Sequence, residues 1–267
     1  MSPLLVQNLV GRIHLYSAAA ITAQFYNRSS GATLKPRYGT TFHFVGQTRS
    51  YFVTNRHILD YNYRTTKPLL SSALESVSIR GFTQPEDAGR DTQPWTYSHA
   101  DPSITFPDDD DIDLALISIP LSSKEASVAP VGGGAIPHSF AGRWLAKTHE
   151  VNSLLPGDQV FIAGYPGLEG EISERPLIVS GIVSSDPRYP ATFAGSRISR
   201  SSVLCHSFSW GGMSGAPVFG FSKEIGRTAI VGVNAGHIAS NDVSGGVISH
   251  FVRSDALVAL LATADGS

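Results

Sequence analysis

Three short stretches of this chain carry side chains suited to nucleophilic chemistry. Val53–Thr54–Asn55–Arg56–His57 is a β-type run ending in a histidine. Asp113–Leu114–Ala115–Leu116–Ile117 is an aspartate heading an apolar strand. Gly211–Gly212–Met213–Ser214–Gly215–Ala216–Pro217 sets a serine in a glycine-rich turn. A serine hydroxyl is a poor nucleophile at neutral pH, so an imidazole has to take its proton during attack. The imidazole needs one tautomer, which a buried carboxylate holds while stabilising the imidazolium. The developing oxyanion needs preorganised donors, and a turn rich in glycine can aim backbone N–H groups inward without steric cost. The amides of Gly212 and Ser214 are the pair so nominated. Singly, each stretch has a bland reading: a histidine after a strand is commonly structural, an aspartate can simply start a strand, and glycine turns occur in any β protein. In the order His57, Asp113, Ser214 they describe a base, the carboxylate that orients it, and a nucleophile.

The elements that must position these residues read as β throughout. Residues 39–45 alternate as a half-buried strand, 46–48 form a tight turn, and 50–54 follow as the hairpin partner. Further strands are expected at 19–26, 76–80, 113–119, 159–163, 177–183, 202–206, 217–220, 229–234 and 246–249. Residues 82–112 and 184–199 read as long surface loops. Only the tail, 251–263, shows helical spacing, through Leu257, Leu260 and Leu261. Many short strands and one terminal helix point to barrels or sandwiches. A shift in composition over 121–145 marks the expected connector between an N-terminal half, about 16–120, and a C-terminal half, about 146–250.

Composition sets the outer bounds. Of 267 residues, 42% are hydrophobic and 16% charged, enough apolar material for a packed core, while 26 Gly and 16 Pro disfavour a helical bundle. Lys and Arg (20) nearly balance Asp and Glu (22), so the basic footprint of a nucleic-acid binder is missing. The lone Cys205 excludes an intrachain disulfide and reads as an inert core thiol. The apolar start is interrupted by Gln7, Asn8 and Arg12, unlike a signal-peptide core, and no apolar run is long enough to span a membrane. These features favour a cytoplasmic protein with neither membrane nor nucleic-acid partners. The histidines show no paired metal-ligand spacing, and no phosphate-cradling loop is present. The 53 residues after Ser214 are too few for the Asp and His of an α/β-hydrolase.

The three motifs, in this chain order, resemble the trypsin/chymotrypsin superfamily of serine proteases, and more the disulfide-free bacterial branches (HtrA-like and glutamyl-endopeptidase-like) than the digestive enzymes. Thr54–Ile58 matches the histidine motif, with Ile58 where animal enzymes carry a cysteine. Asp113–Ile119 (DLALISI) matches the aspartate motif, and Gly212–Pro217 (GMSGAP) the nucleophile motif. Residues 232–237 resemble the strand that pairs with substrate backbone, and Ser244–Val247 with 251–263 the closing strand and terminal helix. The resemblance spans roughly residues 16–263. It implies an all-β fold of two antiparallel six-stranded barrels with a C-terminal helix and the site in the cleft between them. It also implies His57 as base, Asp113 as its orienting carboxylate, Ser214 as nucleophile, Gly212 and Ser214 as oxyanion donors, and no metal or organic cofactor.

The departures from the family pattern matter too. Met213 stands where the family has Asp or Asn, so pairing of that acid with a newly cut N-terminus cannot operate here. Ala235 stands where many members have a Ser or Thr supporting the catalytic carboxylate. Asp111 is the alternative to Asp113, which is preferred because it keeps the apolar positions in step. The acidic run 108–111 lacks an EF-hand pattern and reads as a solvated loop. By position Phe208 falls near the base of the primary pocket, and Ala235, Gly236 and His237 along the substrate strand. No acid lies between Ser207 and Val218, which disfavours cleavage after Lys or Arg; an apolar or small residue is preferred. His237 falls near the rim, where it reads either as a contact for an acidic side chain or as an exposed loop residue. The expected function is a serine endopeptidase acting on a protein or peptide, with activity gated by a regulatory partner or an activation loop. The alternative is a catalytically silent protease-like module that binds or scaffolds peptides.

Overall fold

The computed structural model describes residues 11–83, 92–119, 127–129, 136–167, 175–193, 197–221, 224–238 and 248–266. After a short helix α1 (Arg12–Tyr16), the first half builds β1 (Ala18–Asn27), β2 (Thr33–Val45), β3 (Ser50–Thr54), the single-turn helix α2 (Arg56–Leu59), β4 (Ser72–Phe82), β5 (Pro94–Ala100), β6 (Ile104–Thr105), β7 (Ala115–Ile119), β8 (Ser127–Ala129) and β9 (Ser139–Ala141). These form one nine-stranded sheet in the order β6-β7-β3-β2-β1-β4-β5-β8, with β9 alongside β2 in parallel. The sheet lines a core of Ile21, Phe25, Phe52, Val77, Ile79, Trp95, Tyr97 and Ile117. The alternation that makes this possible is plain in β5, where Trp95, Tyr97 and His99 are buried and the residues between them exposed.

The second half follows α3 (Thr148–Asn152). Its strands β10 (Gln159–Gly164), β11 (Leu177–Val183), β14 (Ser202–His206), β17 (Ile248–Arg253), β16 (Ala229–His237) and β15 (Pro217–Gly220) close into a six-stranded antiparallel barrel in that order. Val160, Ile162, Val203, Cys205, Met213, Val218, Val231 and Phe251 fill it. A third cluster joins the halves, with Phe42, Phe44 and Leu114 from the first, Phe219, Ile230 and Val252 from the second, and Leu257, Leu260 and Leu261 of the terminal helix α4 (Ser254–Gly266). Asp265 of α4 reaches the β2–β3 turn, accepting from the Gln47 N–H at 2.8 Å and the Tyr51 hydroxyl at 2.9 Å.

This is an all-β, chymotrypsin-like architecture with a C-terminal helix, its second half a closed six-strand barrel and its first half a wider sheet. Several local expectations change. The stretch 82–112 contains β5 and β6, and 184–199 contains the hairpin β12 (Ala191–Phe193) and β13 (Arg197–Ser199). Their polar composition hides strands that are exposed on one face. The tail stays extended through Arg253 and becomes helical at Ser254. Ser244–Val247 lies outside the described residues, as do 121–126 and 130–135 of the expected connector.

Candidate active site

The local sequence explains how His57 is presented. β3 ends at Thr54, buried Asn55 in an extended conformation starts α2, and His57 is the second residue of that single turn. β3 pairs with β7 so that Thr54 faces Ala115, which sets Asp113 beside the helix. Both carboxylate oxygens are used: Oδ1 accepts from the His57 backbone N–H at 3.0 Å and Oδ2 meets His57 Nδ1 at 2.7 Å. Asn55 donates to the Asp113 carbonyl at 2.6 Å. With Nδ1 held by the carboxylate, the partly exposed imidazole keeps Nε2 as its free edge. Asp113 is 4% exposed. Burial pushes its carboxyl up, but the charge of His57, the two hydrogen bonds and the charge of Arg64 outweigh it and hold it below the ordinary aspartate value.

Cations fasten the surrounding backbone. Arg37 on β2 donates to the carbonyls of His57, Asp60 and Tyr61, closing the end of α2. Arg56 bridges Asp60 at 3.1 Å and Asp110 at 2.7 Å, while Tyr63 and Arg64 donate to the carbonyls of Asp110 and Asp111. The acidic run is an exposed loop, as its composition suggests, tied down through Arg56, Tyr63 and Arg64, and Asp111 faces Arg64 at 3.7 Å. It is Asp113 that lies against His57.

The serine turn is fixed by contacts from both halves. Ser214 sits just before β15. Its carbonyl accepts from the Thr40 N–H at 2.7 Å, and the Thr40 hydroxyl donates to the Gly212 carbonyl at 2.7 Å while accepting from the Tyr165 N–H at 3.0 Å. Asn234 donates through Nδ2 to the Met213 carbonyl at 2.8 Å, and its own carbonyl accepts from the Gly215 N–H at 2.8 Å. The Met213 side chain, fully buried, is packed into the barrel core. Two glycines are obligatory here. Gly212 (φ +93) would place a Cβ 2.5 Å from the Tyr165 carbonyl oxygen, and Gly215 (φ +89) one 2.0 Å from that of Thr40. The Gly211 carbonyl is drawn to the Gly167 N–H at 2.6 Å, and in a planar trans peptide this turns the Gly212 N–H to the opposite side. Among the described residues, no acceptor takes the N–H of Gly212 or Ser214. A Cβ on Gly39 would lie 2.9 Å from the Ser214 carbonyl oxygen and 3.0 Å from Ile58 Cδ1, so the serine turn and the residue after His57 meet over one bare point of β2.

The remaining sequence-selected residues fall as follows. Gly236 (φ +126) is bare toward the nucleophile, since a Cβ there would find Ser214 Oγ at 3.9 Å. Ala235 belongs to the core cluster that contains Leu114, and the β16–β17 register shifts at this point. His237 is half-buried at the end of β16 rather than in a loop. Phe208 is 55% exposed and stacks on Trp210 with ring centroids 5.7 Å apart, while Ser207 and Ser209 beside it are buried. Cys205 is buried against Ser249, and burial raises its thiol. A second serine–histidine contact, His43 Nδ1 to Ser139 Oγ at 2.5 Å, is a different kind of site. Burial alone drops the His43 ring to about 4, and no described carboxylate orients it. Thr40, Arg37 and Asn55 escaped sequence reasoning, because a polar residue inside a strand or at a helix cap carries no local mark of a partner far along the chain.

Among the described residues no group of three His, Cys, Asp or Glu side chains is arranged to hold a metal ion, and no helix is long and apolar enough to cross a membrane. A family model described as "Trypsin-like peptidase domain" matches residues 39–233. Among solved structures, the chain is similar to the Rv3671c protease from M. tuberculosis in its active form, with 17% identity over 98% of this chain and 86% of that one and a TM-score of 0.52. It is also similar to an inactive-form serine-to-alanine mutant of the same protein, with 15% identity over 100% of this chain and 95% of that one and a TM-score of 0.51. These likenesses describe the fold. No curated protein gives a significant match.

Proposed function

The chain belongs to the trypsin-like peptidase family, a family of serine proteases, and on that premise we propose that it is an endopeptidase working through His57, Asp113 and Ser214. Ser214 Oγ attacks the scissile carbonyl carbon while His57 Nε2 takes its proton, and the resulting imidazolium is stabilised by the buried Asp113 carboxylate. The N–H groups of Gly212 and Ser214 bind the oxyanion of the tetrahedral intermediate. As the C–N bond breaks, His57 returns the proton to the leaving amine and an acyl-serine remains. Water, deprotonated by the same imidazole, then releases the acid and restores the hydroxyl.

The observation carrying this reading is the two-point grip of Asp113 on the backbone and ring of His57. A carboxylate that spends burial on orienting one imidazole suits a general base better than a structural histidine. Met213 supports a turn that needs no ionic anchor, because burial of its side chain and the Asn234 bond to its carbonyl hold the loop. Gating by a partner would then act on access to the cleft, at the border formed by 108–112 and the β12–β13 hairpin, rather than on the turn. The single buried thiol suits the reducing cytoplasm.

A fluorophosphonate probe with intact-mass readout tests the reading. One adduct on the wild type and none on Ser214→Ala is the expected result. No adduct on the wild type, with or without cell lysate, would favour the silent peptide-binding module instead. Equal peptidase activity with and without lysate would remove the gating.

A further inference from the structure

Beside His57 lies a group of side chains for which acyl transfer has no use. His250 on β17 is paired opposite Gly236, the glycine nearest the Ser214 hydroxyl. Phe193 of the β12–β13 hairpin packs edge-on against His250, with centroids 5.0 Å apart, and the guanidinium of Arg197 stands 4.2 Å from the Phe193 centroid. A contiguous ladder thus runs from the nucleophile outward through Gly236, His250 and Phe193 to Arg197. Arg64 stands on the other side, stacked on Tyr63 at 4.7 Å. It does so with φ +53, a conformation unfavourable for a residue with a Cβ.

Asp111 is paired with Arg64 at 3.7 Å, and Arg56 is shared between Asp60 and Asp110. The Arg197 guanidinium makes no hydrogen bond or ion pair with any described residue, so it is a cation without a carboxylate partner of its own. Burial and then the charge of Arg64 lower its pKa, with Asp111, Tyr63 and Asp113 acting the other way, which puts it within electrostatic reach of both walls. His250 stays neutral: burial drives it to about 4, and its Nδ1 is buried without a partner among the described residues. A bare guanidinium laid on an aromatic face, above a neutral polar ring, is suited to a planar anion.

We propose that Arg197, with Arg64 facing it and His250 beneath, forms a subsite for the carboxylate of an Asp or Glu in the substrate, two or four residues before the scissile bond. The position rests on the protease reading above. In an extended substrate side chains alternate, so if the residue before the bond enters the primary pocket, the even-numbered residues before it turn to the His57–Asp113 wall.

Binding of fluorescent peptides to the Ser214→Ala protein, followed by anisotropy, tests this independently of turnover. The peptides differ only in carrying Glu, Gln or Lys at those two positions. The Glu peptide should bind about tenfold tighter than the Gln peptide. That advantage should shrink as salt rises, and Lys should be weakest. Arg197→Gln in the same background should bring the Glu/Gln ratio close to one, with Arg64→Gln giving a partial loss. A ratio near one with both arginines present, a ratio unchanged by Arg197→Gln, or no binding of any peptide would overturn the subsite. A clear Glu preference in a protein whose wild type takes no fluorophosphonate would keep the subsite and reject the protease.

Discussion

Replacing Thr40 by valine isolates the contact that joins the two halves at the serine turn. Thr40 is fully buried, and its hydroxyl lies between the Gly212 carbonyl and the Tyr165 N–H, at 2.7 and 3.0 Å. Valine keeps the β-branched shape, so no cavity opens, and only the hydroxyl chemistry is removed. Two main-chain groups then lose their partner, at about 1–3 kcal/mol each when buried. Gly212 is partly exposed and water can replace part of its loss, so about 2–4 kcal/mol is expected in all. A protein of ordinary stability, about 5–15 kcal/mol, stays folded after such a loss. Urea denaturation followed by tryptophan fluorescence measures it. The released Gly212 carbonyl should also loosen the peptide carrying the oxyanion donors and slow fluorophosphonate labelling of Ser214 by about tenfold or more, each factor of ten being about 1.4 kcal/mol. Thr40→Ser keeps both bonds and should label close to the wild-type rate, losing about 1 kcal/mol for the buried methyl. A Thr40→Val protein within about 0.5 kcal/mol of wild type that labels equally fast would refute the reasoning.

Three other perturbations probe the same site. Asp113→Asn should lower peptide hydrolysis by about 10³–10⁴-fold, because an amide fixes the imidazole tautomer wrongly. Asp113 also sets a pH dependence: its pKa is depressed on folding, so its stabilisation is present above the ordinary aspartate value and is lost as pH falls through the folded one. Below about pH 4, acid melting curves of the wild type should therefore fall more steeply than those of Asp113→Asn. Met213→Ala should cost about 2–5 kcal/mol in urea titrations and slow Ser214 labelling, whereas normal labelling would show that the buried anchor does not hold the turn. Gly215→Ala would drive a Cβ to 2.0 Å from the Thr40 oxygen at φ +89, so it should lose more than about 1 kcal/mol and abolish labelling; retained labelling would contradict the tight approach of β2.

Much of this molecule is legible from neighbouring residues alone. The 39–54 hairpin, the 177–183, 202–206 and 217–220 strands, and the choice of Asp113 over Asp111 all follow from alternation and motif register, because side chains on a strand must match its two faces. The types of residue able to do acyl transfer, and the glycines around Ser214, are likewise local properties. The strands at 94–100 and 191–199 were less legible, since one exposed face and a polar composition imitate a loop.

What tertiary structure alone decided is which polar groups became partners. Thr40 and Gly212 are 172 residues apart, Arg37 and His57 lie on different elements, and Arg197, stacked on Phe193, comes within electrostatic reach of Arg64 and Asp111 of the first half only through the fold. None of these residues breaks the pattern of its own strand, so no window of sequence marks them. Sequence encoded the chemistry through local periodicity and residue type. The geometry that directs that chemistry comes from burial, which obliges each buried donor and acceptor to find a partner wherever the fold brings one.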